Sequence, residues 1–139
     1  MTFSKLAVFL TLVALTICAG CDSTQSSAKL DRDVGTVALE IDFGGEKRSK
    51  SIDVVCSPDS TVLSTLQRAE NTGELKIEFS GSGETAFVNS IDGVKNDGDG
   101  SNWTYRVNDD LGDKSAGVFP VGPGDRISWT FGAKPEELD

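Results

Sequence analysis

The sequence predicts an α+β domain, mostly β, in which one helix covers the packed face of a sheet. Three observations lead there. Apolar and polar residues alternate with period two in five separate stretches, the signature of strands with one buried face. Only the stretch around residues 62–69 spaces its apolar residues as a helix does, and clusters of Gly, Pro, Asn and Asp separate the stretches. A chain of 139 residues that is 37% apolar suits one core and is too short for two.

In the first strand Val37, Leu39, Ile41 and Phe43 share one side, with Thr36, Ala38, Glu40 and Asp42 on the other. Gly44-Gly45 and Glu46-Lys47-Arg48 then form a turn, and Ile52, Val54 and Cys56 continue as the second strand of a hairpin. Ser57-Pro58-Asp59-Ser60 offers N-cap candidates for a helix carrying Val62, Leu63, Leu66 and Ala69, which closes near Asn71-Thr72-Gly73. A third strand is expected at Leu75, Ile77 and Phe79, followed by a shorter apolar patch at Phe87, Val88 and Ile91. After an Asp/Gly loop over 96–101, Trp103, Tyr105 and Val107 alternate as a further strand. Phe119 and Val121 lead into a turn at Gly122-Pro123-Gly124-Asp125, and Ile127, Trp129 and Phe131 make the last strand. A helix after the first hairpin, then more strands, is the element order of a β-grasp; a small sandwich would fit the same order.

The N-terminus reads as an export signal over residues 1–20, with Lys5 as its positive region and Leu6 to Ile17 as an apolar stretch too short to span a bilayer. Its end, Cys18-Ala19-Gly20-Cys21, resembles the lipobox of bacterial lipoproteins, with Cys18 where Leu, Val or Ile is usual. The resemblance implies a lipid on Cys21 and an extracytoplasmic domain anchored to a bacterial membrane. Plain secretion, leaving Cys21 a free thiol, is the alternative. Residues 21–35 are polar and read as a flexible tether, 36–132 as the domain, and 133–139 as a polar tail.

The net charge of −9 becomes −10 once Lys5 leaves with the signal, since 12 basic then face 22 acidic side chains. This argues against a nucleic-acid partner and against adhesion to anionic lipid, which leaves the lipid on Cys21 as the membrane contact. With Cys18 removed and Cys21 lipidated, Cys56 has no disulfide partner and is expected as a small buried hydrophobe.

Phe87-Val88-Asn89-Ser90-Ile91-Asp92-Gly93-Val94, Trp103-Thr104-Tyr105-Arg106-Val107-Asn108 and Gly124-Asp125-Arg126-Ile127-Ser128-Trp129 follow one another in an order and spacing that resemble the transcobalamin-like C-terminal domain family. Ser60-Thr61-Val62-Leu63 resembles the segment before that motif, so the likeness covers about residues 36–131. It implies a β-grasp-like domain of the kind that forms the smaller half of the corrinoid site in animal cobalamin carriers, with cobalamin as the ligand it suggests. The large helical barrel that completes the carrier site is missing here. The family's Asn-Gly hairpin reads Asn108-Asp109 in this chain, and the segment after it is acidic.

No histidine occurs, which removes Ser-His-Asp, Cys-His and histidine-ligated metal chemistry, and no enzyme is expected. The carboxylate pairs Asp97 with Asp99 and Asp109 with Asp110 lie in polar loops, without the apolar surroundings that shift a pKa. Asp97, Asp99 and Ser101 imitate the start of an EF-hand loop, but Asn102 stands at its glycine position and Asn108 at its closing glutamate, so no EF-hand is expected there; a weaker calcium site of another kind around Asp97-Gly98-Asp99 is the alternative to a solvated loop. The contacts expected for a small ligand or an envelope protein are Trp103, Tyr105 and Asn108. Trp103, Tyr105 and Trp129 also sit on the alternation that marks the core, and Asn108 suits a turn, so structural roles stand beside these readings.

Overall fold

The computed structural model describes residues 34–45 and 48–132. The export signal, Cys21, nearly all of the tether and the polar tail lie outside these residues. Strands β1 (Gly35–Asp42) and β2 (Ser49–Cys56) are followed by helix α1 (Val62–Asn71), β3 (Ile77–Ser80), a 3-10 turn at Gly83–Thr85, β4 (Phe87–Ile91), β5 (Val94–Lys95), β6 (Trp103–Val107), β7 (Asp110–Leu111) and β8 (Arg126–Phe131). The domain is α+β and mostly β, with one helix.

The five-stranded sheet has the order β2-β1-β8-β6-β7. Its centre is the parallel pair β1 and β8, with Leu39 opposite Ile127 and Ile41 opposite Trp129; every other pairing is antiparallel. First and last strands side by side and parallel, with a helix on one face, give the sheet its β-grasp-like form. The alternation read from the sequence places Val37, Leu39, Ile41, Val54, Cys56, Trp103, Tyr105, Val107, Ile127 and Trp129 in the core. α1 packs over β2 and β1 through Val62, Leu63, Leu66 and Ala69. Cys56 is fully buried and unpaired.

One sheet was expected and two are present among the described residues: β3, β4 and β5 form a separate antiparallel sheet. Asp92 and Gly93, both at positive φ, turn the chain back on itself and create the β4–β5 hairpin. β3 begins at Ile77 instead of Leu75, and a register shift between Glu78 and Phe79 reverses the side on which Phe79 falls, so Phe79 is exposed.

Local chemistry explains the helix ends. Thr61, one residue beyond the expected candidates, is the N-cap: its hydroxyl accepts from Ser64 N at 3.2 Å while Ser64 Oγ accepts from Thr61 N at 2.8 Å. The next two N–H groups, on Val62 and Leu63, donate to Phe119 O and Ala116 O, so the long loop before β8 completes the helix start. At the other end Gly73 takes φ +80°, and the N–H groups of Gly73 and Glu74 return to Glu70 O and Ala69 O.

The two sheets are tied by an ion pair. Lys50 Nζ on β2 donates to Asp92 Oδ2 at 2.6 Å and to Glu74 O at 2.7 Å, while Asp92 Oδ1 accepts from Lys76 N at 2.8 Å. Burial pushes the Asp92 pKa up, but the bonds from Lys50 and Lys76, with the charges of Lys50 and Arg48, outweigh it and hold the carboxyl below its ordinary value of 3.8. A depressed folded pKa contributes stability that is complete above the unfolded value and is lost as pH falls through the folded one. Asp92→Asn is therefore expected to lower stability at neutral pH and to flatten the acid limb, losing less than the parent between about pH 4 and pH 2. Thermal melts across that range check both effects.

Candidate functional site

β6 and β8 lie side by side, with Tyr105 opposite Trp129 and Trp103 opposite Phe131. The alternation of both strands turns these rings to the core face, where they form an aromatic layer of two clusters. Tyr105 stacks tilted on Trp129 at 5.2 Å and meets Phe119 edge-on at 5.8 Å; Trp103 contacts Phe131 at 5.2 Å and Phe43 edge-on at 5.6 Å.

The layer is covered unevenly. A cleft of about 290 Å³ opens beside β4 and the β6–β7 hairpin, with Trp103, Tyr105 and Trp129 in its lining. These three are 7%, 8% and 3% exposed, so the cleft meets them as its floor. At its mouth stand Phe87, 57% exposed, and Leu111, 40% exposed. Large apolar side chains left in water beside an apolar cleft are the surface feature that marks a binding site. A larger depression, about 590 Å³, crosses the outer face of the sheet past Glu40, Asp42, Ser51 and Ser128. Its lining is mostly carboxylates and hydroxyls, with one lysine, Lys50, already held by Asp92, so the smaller apolar cleft is the better candidate.

Internal hydrogen bonds hold the floor. Trp103 Nε1 donates to Val94 O at 2.8 Å, and Trp103 N donates to Asn96 Oδ1 at 2.7 Å. Tyr105 OH donates to Lys114 O at 2.6 Å. Burial and the Asp113 charge push the phenol up to about 12 against the pull of that bond, so it stays a proton donor at physiological pH. Gly112 lies flat on the same ring: a Cβ there would come within 2.2 Å of Tyr105 Cζ, which excludes any side chain. Trp129 Nε1 is the exception, a buried donor with no partner among the described residues; such an orphan costs about 1–3 kcal/mol.

Of the three expected contact residues, Trp103 and Tyr105 line the cleft and belong to the core at once. Asn108 is absent from the lining. It sits with Asp109 at the β6–β7 turn, both at positive φ (52° and 73°), and its amide bridges to the turn before β8: Nδ2 donates to Asp125 Oδ1 at 2.8 Å and Oδ1 accepts from Arg126 N at 2.9 Å. The side chain is thus engaged within the protein. Asp97 and Asp99 lie in an exposed loop closed by Asn102 Nδ2 donating to Gly98 O and Gly100 O, and no group of three metal-ligating side chains gathers among the described residues.

Phe87, Leu111, Gly112 and Lys114 were not expected from sequence as contact residues. Phe87 carried a readable signal, because it adjoins Val88 on one strand and neighbours in a strand face opposite sides. Leu111 is a lone apolar residue in an acidic segment, and only the hairpin geometry brings it to the cleft. Asn108→Ala is expected to cost about 1–3 kcal/mol, from two lost hydrogen bonds and a left-handed backbone that alanine disfavours, as measured by urea denaturation. A neutral result would show that the turn is held without that amide.

Comparison with known proteins agrees with this fold. The structure is similar to that of a candidate metal-binding protein from Ruminococcus gnavus, at 16% identity and TM-score 0.54, over 72% of this chain and 98% of that one. It is also similar to haptocorrin in complex with Cbi, at 16% identity and TM-score 0.55, over 73% of this chain but only 26% of haptocorrin. At such identities the likeness is one of fold. A search of curated protein sequences returns no match. A family profile described as a domain of unknown function, DUF4430, matches residues 59–133, more than half of the chain and all of the aromatic layer except Phe43. The chain belongs to the DUF4430 family.

Proposed function

We propose that this protein is an extracytoplasmic binding module, held at a bacterial membrane by lipid on Cys21, that takes an apolar ligand in the cleft floored by Trp103, Tyr105 and Trp129. The observation that carries the reading is the pair Phe87 and Leu111, exposed at the mouth of an apolar cleft whose floor residues Trp103 and Tyr105 are hydrogen-bonded within the protein. At about 290 Å³ the cleft lies at the lower end of small-molecule sites, so it holds a small ligand or one apolar substituent of a larger one. The fold likeness to haptocorrin supports a corrinoid as that larger ligand. Binding, with no chemical step, is the activity proposed, in keeping with the absence of histidine from the chain.

An interaction with an envelope protein is the second reading. β2 is an eight-residue edge strand carrying the exposed Val55, which suits strand addition. Arg68 Nη1 already donates to Val55 O at 2.8 Å, so part of that edge is guarded.

Titration of the full chain with cobalamin, followed by tryptophan fluorescence corrected for corrinoid absorption, is expected to show saturable quenching. Exchange of both Phe87 and Leu111 for serine should weaken it by about tenfold or more while leaving the melting temperature nearly unchanged, because both side chains are exposed. No saturable change would remove the corrinoid and favour the protein partner. For the anchor, Cys21→Ser is expected to move the protein from the membrane to the soluble fraction, and mass spectrometry of an unmodified Cys21 peptide would overturn lipidation.

A further inference from the structure

The polar groups around the cleft restrict the chemistry of what it can hold. Trp103 Nε1 and the hydroxyl protons of Tyr105, Thr104 and Ser115 all go to carbonyl oxygens of the protein, those of Val94, Lys114, Thr130, and Gly83 with Ala86. One charged group remains, the Lys114 ammonium, which makes no ion pair among the described residues and is the only charged group in the lining. The unpartnered Trp129 Nε1 is sealed within the floor, out of reach of a ligand atom. An apolar cleft whose one charged lining group is a cation complements an anionic acceptor.

We infer that the ligand of this cleft is an apolar molecule bearing a carboxylate, whose oxygens accept from the Lys114 ammonium while its body lies between Phe87 and Leu111. The assignment rests on the proposal that the cleft is the binding site. Acidic neighbours do not reverse it. Asp109, Asp110 and Asp113 are exposed and belong to the hairpin and the loop after it, outside the lining, where solvent and salt screen their charge. The neutral floor excludes ligands of high charge, because burying an unpaired ion against aromatic rings is unfavourable.

The test uses three probes of one shape: hydrocinnamate, its neutral amide hydrocinnamamide, and the cation phenylpropylamine. Binding is followed in nitrogen-labelled full-length protein by the backbone amide resonances of Phe87 and Leu111, at the cleft mouth. Hydrocinnamate is expected to bind at least about threefold tighter than either analogue, as befits a pairing with an exposed lysine. It should move the backbone amide resonances of Phe87 and Leu111 and lose its advantage over the amide in Lys114→Met. Equal or tighter binding of the amide or the amine, or an advantage that survives Lys114→Met, would overturn the carboxylate while leaving the cleft as the site. No shift of the Phe87 or Leu111 resonances with any of the three would overturn the site itself, and the inference with it.

Discussion

The parallel pairing of β1 with β8 is the constraint on which the rest of the domain depends. It joins strands from opposite ends of the described chain, and each then carries its own antiparallel neighbour, β2 on one side and β6 on the other. Parallel neighbours cannot be joined by a tight turn. Everything between them must therefore be arranged as a crossover, and the helix and the small sheet β3-β4-β5 are that crossover. A slip of one residue between β1 and β8 would turn Ile127 and Trp129 away from the core, so the register of this pair decides which face of the sheet is aromatic.

The turn over Gly122–Arg126 secures that register. Ala38 N donates to Asp125 O and Gly124 N to Thr36 O, which ties the turn to β1, while Asp125 Oδ2 accepts from Gly122 N and shapes the turn itself. Asn108 reaches the same turn from the β6–β7 hairpin, so one short segment joins β1, β6 and β8. The hairpin is thereby oriented, and with it Gly112 on the Tyr105 ring and Leu111 at the cleft mouth. The loop that follows goes on to supply the carbonyls that complete the start of α1. Cleft, helix start and sheet register are consequences of one set of backbone contacts.

How much of this could be read from sequence follows from the range of the forces involved. Period-two alternation reports on burial at single residues, and it placed the core strands and the helix face well. Sheet order is a matter of long-range pairing, and nothing in the residues of β1 alone announces β8 as its neighbour. The separate small sheet was hidden for a local reason: its hairpin turn uses Asp92 at positive φ, and β5 has two residues, too few to show alternation. Trp103 and Tyr105 were visible as aromatic residues on a strand, whereas Leu111 and Lys114 owe their place at the cleft to a hairpin whose aim depends on Asn108 and Asp125. Asn108, expected as a contact residue or a turn former, holds that hairpin to the turn before β8.

The exposure of Phe87 and Leu111 stands apart from the way the same domain treats its other vulnerable surface. Along the β2 edge, the Arg68 guanidinium donates to Val55 O and blunts an edge that would otherwise invite pairing. No comparable guard covers the cleft. Burying Phe87 would need only a reversal of parity of the kind that the bulge in β3 imposes on Phe79, so its outward position is not forced by the fold class. Beneath it, Trp103, Tyr105 and Trp129 are fixed by their roles in the core, which gives the cleft a floor that need not reorganise when something binds. A floor already ordered by folding leaves less entropy to be lost on association, so a cleft this small can still discriminate between ligands.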